Sequence, residues 1–207
     1  MDTSERQSHW ENVYTNKAEN EVSWFEESPA VSLELIRATG EAKATSIIDV
    51  GGGASRLVDA LLQDGYSVVT VLDLSERAIA TAKARLGDRA ASVAWITADV
   101  TAWKPAAIFD VWHDRAAFHF LTESVERGAY VARVSQALRV GGHLIIGTFA
   151  LDGPERCSGL PVQRHDAASL GEALGPAFAL VETRPHEHLT PMRRVQRFLF
   201  SRFRRTS

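Results

Sequence analysis

A glycine cluster between a predicted strand and a predicted helix constrains this chain more than any other feature. Residues 46–50 form a mostly apolar run that leads into Gly51-Gly52-Gly53, and residues 56–63 have helical periodicity. Glycine is needed where the backbone takes positive φ or where a ligand approaches closely. The helix that follows directs free N–H groups into that space. The motif therefore favours a nucleotide-like ligand, and a tight turn without a ligand is the alternative.

Composition limits the class of protein. With 207 residues, 45% of them hydrophobic and 24% charged, the chain can form one substantial core but not two ordinary domains. Its net charge of −3 provides no general attraction to nucleic acid or to anionic lipid. The single cysteine, Cys157, excludes an internal disulfide and a multi-cysteine zinc site. We expect no metal, nucleic-acid or membrane partner.

The sequence shows no segment typical of export or of membrane insertion. Residues 1–20 are polar and charged, and no later run approaches the length of an apolar membrane span. A cytoplasmic protein is therefore the expectation.

Apolar runs rich in β-branched residues alternate with segments of helical periodicity, which is typical of parallel βα units. The predicted strands cover residues 46–50, 67–72, 93–98, 108–113 and 143–149. Two further strand-like runs, 178–183 and 195–203, have a short polar loop between them and fit an antiparallel pair. The predicted fold is α/β and doubly wound, with a mostly parallel sheet that ends in this pair.

Capping residues and glycines predict where the helices begin and end. Ser75, Thr122 and Asp166 are suited to accept hydrogen bonds from the first turns of three helices. Gly87 and the Gly141-Gly142 pair are expected to end the first two of these helices.

Acidic residues follow or end three successive predicted strands. Asp49 precedes the glycine cluster, Asp73 follows the second strand, and Asp99 follows the third. In a doubly wound sheet these positions lie on one edge, where Asp73 can accept both hydroxyl protons of a ribose. Asp99 is suited to an exocyclic amino group such as that of adenine, and Val100 to packing on the ring. An ordinary strand-end or capping role is the alternative for each.

The position of Asp49 discriminates between nucleotide ligands. A carboxylate two residues before Gly51 would repel a pyrophosphate, but it suits a ligand that bears an ammonium and a sulfonium group. With Asp49-x-Gly51-x-Gly53, Asp73 and Asp99-Val100, the chain resembles the class I S-adenosylmethionine-dependent methyltransferases over about residues 45–203. Ser55 replaces the third glycine of the fuller pattern.

The resemblance implies a Rossmann-like seven-stranded sheet and S-adenosyl-L-methionine as the cofactor, with S-adenosyl-L-homocysteine as the product. Gly51 and Gly53 would lie under the methionine portion, while Asp73 would hold the ribose and Asp99 would read the adenine. The complete set of candidate cofactor-binding residues is Trp24, Asp49, Gly51, Gly53, Asp73, Leu74, Asp99, Val100 and His113.

The end of the fourth strand is expected to carry the chemistry. Residues 112–117 lack the tetrad with which base-amino methyltransferases hold a planar nitrogen, and they resemble the thiopurine and thiol methyltransferase branch. The candidate catalytic residues are His113, Asp114, Arg115 and His119. A local ion pair is the alternative for Asp114 and Arg115, and a packed histidine is the alternative for His119.

The N-terminal 40 residues resemble the lid of the same branch, and with the core they are expected to form one domain over residues 1–207. The candidate substrate residues are Tyr14, Trp24, Phe25, Phe118 and Cys157. Aromatic side chains suit a sulfonium because cations bind π faces. As alternatives, Tyr14, Trp24 and Phe25 could form only the apolar face of an N-terminal helix and its staple. Cys157 could be an inert small side chain.

Three functions fit the sequence. The favoured one is methyl transfer to a small-molecule nucleophile through sulfur, nitrogen or oxygen, by a monomer or homodimer. A protein lysine methyltransferase would need an open acidic channel that leads to the methyl group. A nucleoside-binding protein without catalysis would need only the glycine loop.

Overall fold

The computed structural model describes residues 3–207, in which helices and strands alternate. The helices are α1 (Thr3–Asn16), α2 (Ala30–Arg37), α3 (Leu57–Gln63), α4 (Glu76–Leu86), α5 (Ser124–Ala137) and α6 (Ala167–Leu174). The strands are β1 (Ser46–Val50), β2 (Val68–Asp73), β3 (Val93–Thr97), β4 (Phe109–Arg115), β5 (Leu138–Phe149), β6 (Arg156–Cys157), β7 (Leu160–Pro161), β8 (Phe178–Leu189) and β9 (Val195–Arg205). Short 3₁₀ turns lie at Glu19–Glu21, Gly87–Ser92 and Phe118–Phe120.

Seven of the strands described within residues 3–207 form one sheet, in the order β3-β2-β1-β4-β5-β9-β8. The pairs from β3 to β5 are parallel, whereas β9 is antiparallel to both β5 and β8. The predicted fold, a doubly wound and mostly parallel sheet with a C-terminal antiparallel pair, is confirmed. The order changes direction at β1 and β4, and their carboxyl ends flank a crevice of the kind in which such sheets bind ligands.

Alternate strand positions feed two cores on opposite faces of the sheet. Ile47 and Val111 belong to the core that includes α2 and α3, whereas Ile48 and Trp112 belong to the core that includes Tyr130 of α5. Strands covered on both faces need apolar residues at every position, which explains the continuous apolar runs of the sequence. Each such fully buried side chain contributes about 1.5–3 kcal/mol to folding.

Two of the predicted helix caps are confirmed and one is wrong. Ser75 Oγ accepts a hydrogen bond from the Ala78 N–H at 3.0 Å, and Asp166 accepts one from Ser169 at 2.8 Å. Thr122 does not cap α5, because the cap position falls one residue later, at Glu123. The helix begins at Ser124. The residues before it form a separate 3₁₀ turn, Phe118–Phe120, where the N–H groups of Phe120 and of the next two residues bond to carbonyls of residues 117–120.

Strand boundaries differ most where polar residues lie in the sheet. The Gly141-Gly142 pair does not end α5, which stops at Ala137; it lies inside β5, which begins at the next residue. The pairing of β5 with β4 shifts register near this glycine pair. Strand β8 continues to Leu189, well past the predicted end at residue 183, because its hydrogen-bond ladder with β9 runs through charged residues. An edge strand exposes its polar positions, so its sequence looks like a loop.

Two of the arginines near the C-terminus, Arg197 and Arg202, pair with acidic side chains around the β8–β9 pair. Arg202 forms an ion pair with Glu182 at 2.6 Å, and Arg197 contacts both Asp152 and Glu187. Among the helices of residues 3–207, none combines the length and the apolar character that crossing a bilayer requires.

Candidate cofactor site

The glycine loop lies in the floor of a cavity at the carboxyl ends of β1, β2 and β4. Gly51 has a φ of +70°, and a Cβ there would lie 2.7 Å from the Ala117 Cβ. A Cβ at Gly53 would lie 2.5 Å from Asp73 Oδ2. Real Cβ atoms do not approach other atoms so closely, so both positions require glycine to keep the loop against its neighbours.

The cavity has a volume of about 110 Å³ and brings together most of the predicted cofactor-binding residues. Those that line it are Trp24, Gly51, Asp73, Leu74, Asp99 and Val100. Of the other predicted residues, Tyr14, Arg115 and Cys157 also line it. Gly53, Asp49 and His113 lie outside the lining, Gly53 in the loop itself and the other two buried below it.

Asp49 lies beneath the glycine loop and is 2% exposed. Its Oδ1 is 2.7 Å from His113 Nδ1, while its Oδ2 is buried without a hydrogen-bond partner. An orphaned carboxylate oxygen below a glycine cradle is the feature that a ligand bearing an ammonium group would satisfy. This geometry fits S-adenosylmethionine.

Asp73 ends β2 in the cavity floor and is 8% exposed. Its Oδ1 accepts a hydrogen bond from the Ser75 N–H at 2.8 Å. Burial raises the pKa of this carboxyl from 3.8 to about 7, and the negative charge of Asp49 adds to the shift. Two ribose hydroxyls would donate to the carboxylate and offset this desolvation.

Asp99 lies at the other end of the cavity, where it holds the lid. Its Oδ1 accepts hydrogen bonds from the N–H and the hydroxyl of Thr101, and its Oδ2 accepts one from the Thr3 hydroxyl at 2.8 Å. Arg6 forms ion pairs with Asp99 and with Glu126. Burial opposes the charge of Asp99, but the bonds from Thr101 outweigh it and lower the pKa. The sequence contained no signal for Thr3 or Arg6.

Helix α1 closes the cavity with aromatic side chains. Trp10 contacts Phe120 and Trp24 edge to face, with ring centroids 5.0 and 5.7 Å apart, and Tyr14 lies 6.2 Å from Trp24. Burial raises the pKa of the Tyr14 phenol well above its usual value, and the charge of Asp73 adds to this. A neutral aromatic wall of this kind can face a sulfonium.

Helix α1 is also fastened to the start of α4. The Glu11 carboxylate accepts hydrogen bonds from the backbone N–H groups of Glu76 at 2.6 Å and Arg77 at 3.3 Å. These N–H groups belong to the first turn of α4, where a negative charge is favourable.

The predicted catalytic residue Asp114 is fully buried and does not line the cavity. Its carboxylate accepts hydrogen bonds from the N–H groups of Ala117 and Phe118 and from the Tyr130 hydroxyl. Burial raises its pKa from 3.8 to about 6. These contacts hold the turn at Ala116, which has a φ of +68° and lines the cavity, so the geometry supports positioning rather than contact with substrate.

Arg115 is the one predicted catalytic residue that reaches the cavity. It donates a hydrogen bond to the Trp24 carbonyl at 2.9 Å, and its Nη2 lies 3.0 Å from Glu26. Its guanidinium stacks on Phe198 at 5.2 Å, and burial lowers its pKa. The alternative reading of Asp114 and Arg115 as a local ion pair is wrong, because Arg115 pairs with Glu26 instead.

Both candidate histidines lie away from the cavity. His113 is held between Asp49 and the Ser32 hydroxyl, which lies 2.9 Å from Nε2. His119 is fully buried beside Phe149, and neither ring nitrogen has a hydrogen-bond partner. Burial lowers its pKa to about 3, with a further contribution from Arg115. The structure thus supports the packed alternative for His119, and it does not place His113 against the cofactor.

Two of the predicted substrate residues also lie elsewhere. Phe118 is fully buried and packs against Tyr130, with ring centroids 4.9 Å apart. Phe25 faces the Arg56 guanidinium and lines a smaller neighbouring pocket. Cys157 does line the cavity, but burial raises its thiol pKa to about 11, so it is protonated at neutral pH.

Comparisons with known proteins agree with this geometry. A methyltransferase domain family matches residues 47–142. No match was found among the curated proteins. Residues 47–142 contain the glycine loop and the carboxylates Asp73 and Asp99.

Solved structures share the fold at low sequence identity. The protein described in a study of the conversion of a disulfide bond into a thioacetal group during echinomycin biosynthesis has a TM-score of 0.76 at 19% identity, covering 97% of this chain and 91% of that one. The N-methyltransferase NodS from Bradyrhizobium japonicum WM9, in complex with S-adenosyl-L-homocysteine, has a TM-score of 0.69 at 20% identity, with coverages of 95% and 98%. A Burkholderia thailandensis 1,6-didemethyltoxoflavin-N1-methyltransferase has a TM-score of 0.69 at 23% identity, with coverages of 99% and 87%.

Residues 47–142 match a methyltransferase domain, and they lie in a seven-stranded sheet with a glycine cradle, as in the Rossmann-like methyltransferase fold. The predicted enzyme class and cofactor are therefore confirmed. The comparisons do not show the predicted resemblance to the thiopurine and thiol methyltransferase branch.

Proposed function

We propose that this methyltransferase acts on a small-molecule nucleophile, with sulfur favoured over nitrogen and oxygen as the acceptor atom. The observation that carries the proposal is the closed lid. Helix α1 contributes Arg6, Trp10 and Tyr14 to the wall of the cavity, beside Trp24 and Phe120. An aromatic wall laid over the site suits a compact acceptor better than a protein chain.

The cofactor supplies an activated methyl group, so the protein has mainly to hold the acceptor in line and exclude water. Asp49 and the glycine loop would hold the amino acid portion, Asp73 the ribose and Asp99 the adenine end. The rings of Trp10, Tyr14 and Trp24 would face the sulfonium. Arg115 fixes the backbone of Trp24 and can orient an anionic acceptor.

The titratable groups of the cavity favour an acceptor that needs no base. The pKa of Cys157 is raised to about 11 and that of Tyr14 is raised further, so neither accepts a proton at neutral pH. Asp73 and Asp99 occupy the nucleoside end. A thiol, with a pKa near 8.5, is partly ionised at neutral pH, whereas a phenol near 10 is not.

Two structural neighbours are consistent with a small acceptor. NodS and the toxoflavin-pathway enzyme are N-methyltransferases, and the latter was solved with 1,6-didemethyltoxoflavin bound. Nitrogen therefore remains the second choice of acceptor atom. The aromatic lid and the Asp114-Arg115 sequence are what support the looser resemblance to the thiopurine and thiol branch.

The test is methyl transfer from isotopically labelled S-adenosylmethionine to a panel of thiols, amines and phenols, beside a protein extract. We expect labelled small molecules, with thiols reacting fastest as the pH rises towards 8.5. The matched control is Asp73→Asn, which keeps the side-chain size and should lower labelling of every acceptor alike when S-adenosylmethionine is not saturating. A labelled protein band with no labelled small molecule would overturn the proposal in favour of protein lysine methylation.

A further inference from the structure

Glu26, His186 and His188 meet at the free edge of the sheet and form what is called here the edge cluster. Glu26 belongs to the segment after α1, and the two histidines alternate on β8, so that both side chains lie on one face of the strand. One potential ligand atom from each residue lies within 4.8 Å of the other two. Imidazole nitrogens and a carboxylate are the donor set of many zinc sites.

Two of the three ligand separations in the edge cluster match those around a tetrahedral ion, and the third is no longer than 4.8 Å. Glu26 Oε1 lies 3.3 Å from His186 Nε2 and 3.4 Å from His188 Nδ1. With metal–ligand bonds of about 2.0–2.1 Å, the ligand atoms of a tetrahedral Zn²⁺ are separated by about 3.3–3.4 Å. Two edges of such a tetrahedron are already present.

The hydrogen bonding of His188 supports the same conclusion. Its Nε2 lies 2.7 Å from the Ser23 carbonyl oxygen, which can only accept, so Nε2 carries the proton. In the neutral ring, Nδ1 then directs a lone pair at the Glu26 carboxylate. That lone pair is available to a metal ion held between His188 and Glu26. A carbonyl that fixes the tautomer in this way is a common partner of metal-ligating histidines.

The edge cluster is open to solvent mainly through His186. The His186 side chain is 27% exposed, whereas those of Glu26 and His188 are 14% and 4% exposed. Arg115 Nη2 also lies 3.0 Å from Glu26 Oε1, and Arg184 is held away by Glu34 and Glu182.

We propose that the edge cluster binds Zn²⁺ or a similar first-row divalent ion through three protein ligands, with water in the fourth position. Because residues 23–26 carry Trp24 into the wall of the cofactor cavity, the ion would fasten this segment to β8. The proposal does not depend on the identity of the methyl acceptor.

The test is titration of chelator-treated protein with Co²⁺, whose visible absorption reports tetrahedral coordination. We expect one equivalent to bind with this spectrum, and Zn²⁺ to displace it and raise the melting temperature. Glu26→Gln, His186→Asn and His188→Asn should each weaken binding more than about 100-fold, because even second-shell changes cost about 10–100-fold. His9→Asn, a histidine substitution on α1, is the matched control and should bind as the unaltered protein does.

Absence of the Co²⁺ spectrum from the unaltered protein would overturn the proposal, and so would equal uptake by His186→Asn. His186→Asn changes a partly exposed side chain, so this variant should fold. Its circular dichroism and S-adenosylmethionine binding should match those of the unaltered protein. Loss of cofactor binding in every sample would instead point to failure of the methyltransferase function, so the two failures are distinguishable.

Discussion

The floor and the wall of the cofactor cavity are built in different ways. The floor comes from β1, β2 and β3 in chain order, and each of its carboxylates lies at or next to a strand end within residues 46–100. The wall combines α1, Trp24, Arg115, Phe120 and Cys157, which lie far apart in the sequence. The floor is thus local in sequence, whereas the wall exists only when distant segments pack. Substitutions in the floor should therefore affect the cofactor more than substitutions in the wall.

Gly51→Ala should have the largest effect. The new Cβ would lie 2.7 Å from the Ala117 Cβ, at a φ of +70° that alanine disfavours. We expect the affinity for S-adenosylmethionine, measured by calorimetry, to fall more than about 100-fold, or ~2.7 kcal/mol. Gly65→Ala is the matched control, because its φ is +89° but nothing lies within 4 Å of the new Cβ. Equal losses in the two variants would show that backbone strain, rather than the cradle, determines binding.

Asp73→Asn separates cofactor binding from stability. The variant should bind S-adenosylmethionine about 10–100-fold more weakly, because the amide can accept only through one oxygen. For the unaltered protein, affinity should fall as the pH drops below about 7, where the carboxyl becomes protonated. If affinity were independent of pH between 5 and 8, the ribose would have to bind elsewhere.

The same substitution should stabilise the cofactor-free protein. The Asp73 pKa is raised from 3.8 to about 7, so the folded state binds the proton more tightly than the unfolded state. The contribution of Asp73 to stability is complete below about pH 4 and is lost as the pH rises to about 7. Urea unfolding at pH 8 should show Asp73→Asn to be more stable by roughly 1–4 kcal/mol, and at pH 4 the difference should vanish. A less stable variant at pH 8 would contradict the raised pKa.

Glu11→Ala tests the wall with a smaller expected effect. The substitution removes the carboxylate that accepts hydrogen bonds from the backbone N–H groups of Glu76 and Arg77 at the start of α4. Losing about 1–2 kcal/mol of lid attachment should weaken cofactor binding about 5–30-fold and speed its release in stopped-flow measurements. Gln7→Ala, an exposed position on the same helix, is the control. Wild-type release from Glu11→Ala would mean that α1 does not retain the cofactor.

His119→Leu should have the smallest effect. Both ring nitrogens of His119 are buried without partners, so an apolar side chain of similar size should change stability by less than about 1 kcal/mol. Methyl transfer should stay within about twofold of the unaltered rate. A tenfold loss of rate with unchanged cofactor affinity would restore the catalytic role that the sequence suggested.

The strand ends and two of the helix caps could be predicted because their signals are local. Ser75 and Asp166 cap helices through residues three positions away, and Gly51 shows its role by the elements on either side of it. The length of β8 could not be predicted in this way. Its polar residues are kept in a strand only by the hydrogen-bond ladder with β9. Because the predicted strand ended at residue 183, the sequence did not show that His186 and His188 lie on β8.

The catalytic candidates show the same limit. His113 and Asp114 lie at the end of β4 and His119 lies in the turn after it. The sequence does not show which of these side chains point towards the cavity. Asp114 turns inwards to the backbone of the following turn, and His113 turns to Asp49, so Arg115 alone reaches the cavity.

The sequence by itself determined the sheet, the class of enzyme and the floor of the cofactor site, because hydrophobic period, strand-end carboxylates and glycines act over a few residues. Only the tertiary structure decided how the lid closes, which fourth-strand side chains reach the cavity and how the edge cluster assembles. Those features depend on contacts such as Thr3 to Asp99 and Glu26 to His188, which join segments that are separated in the chain and meet only after the core has packed.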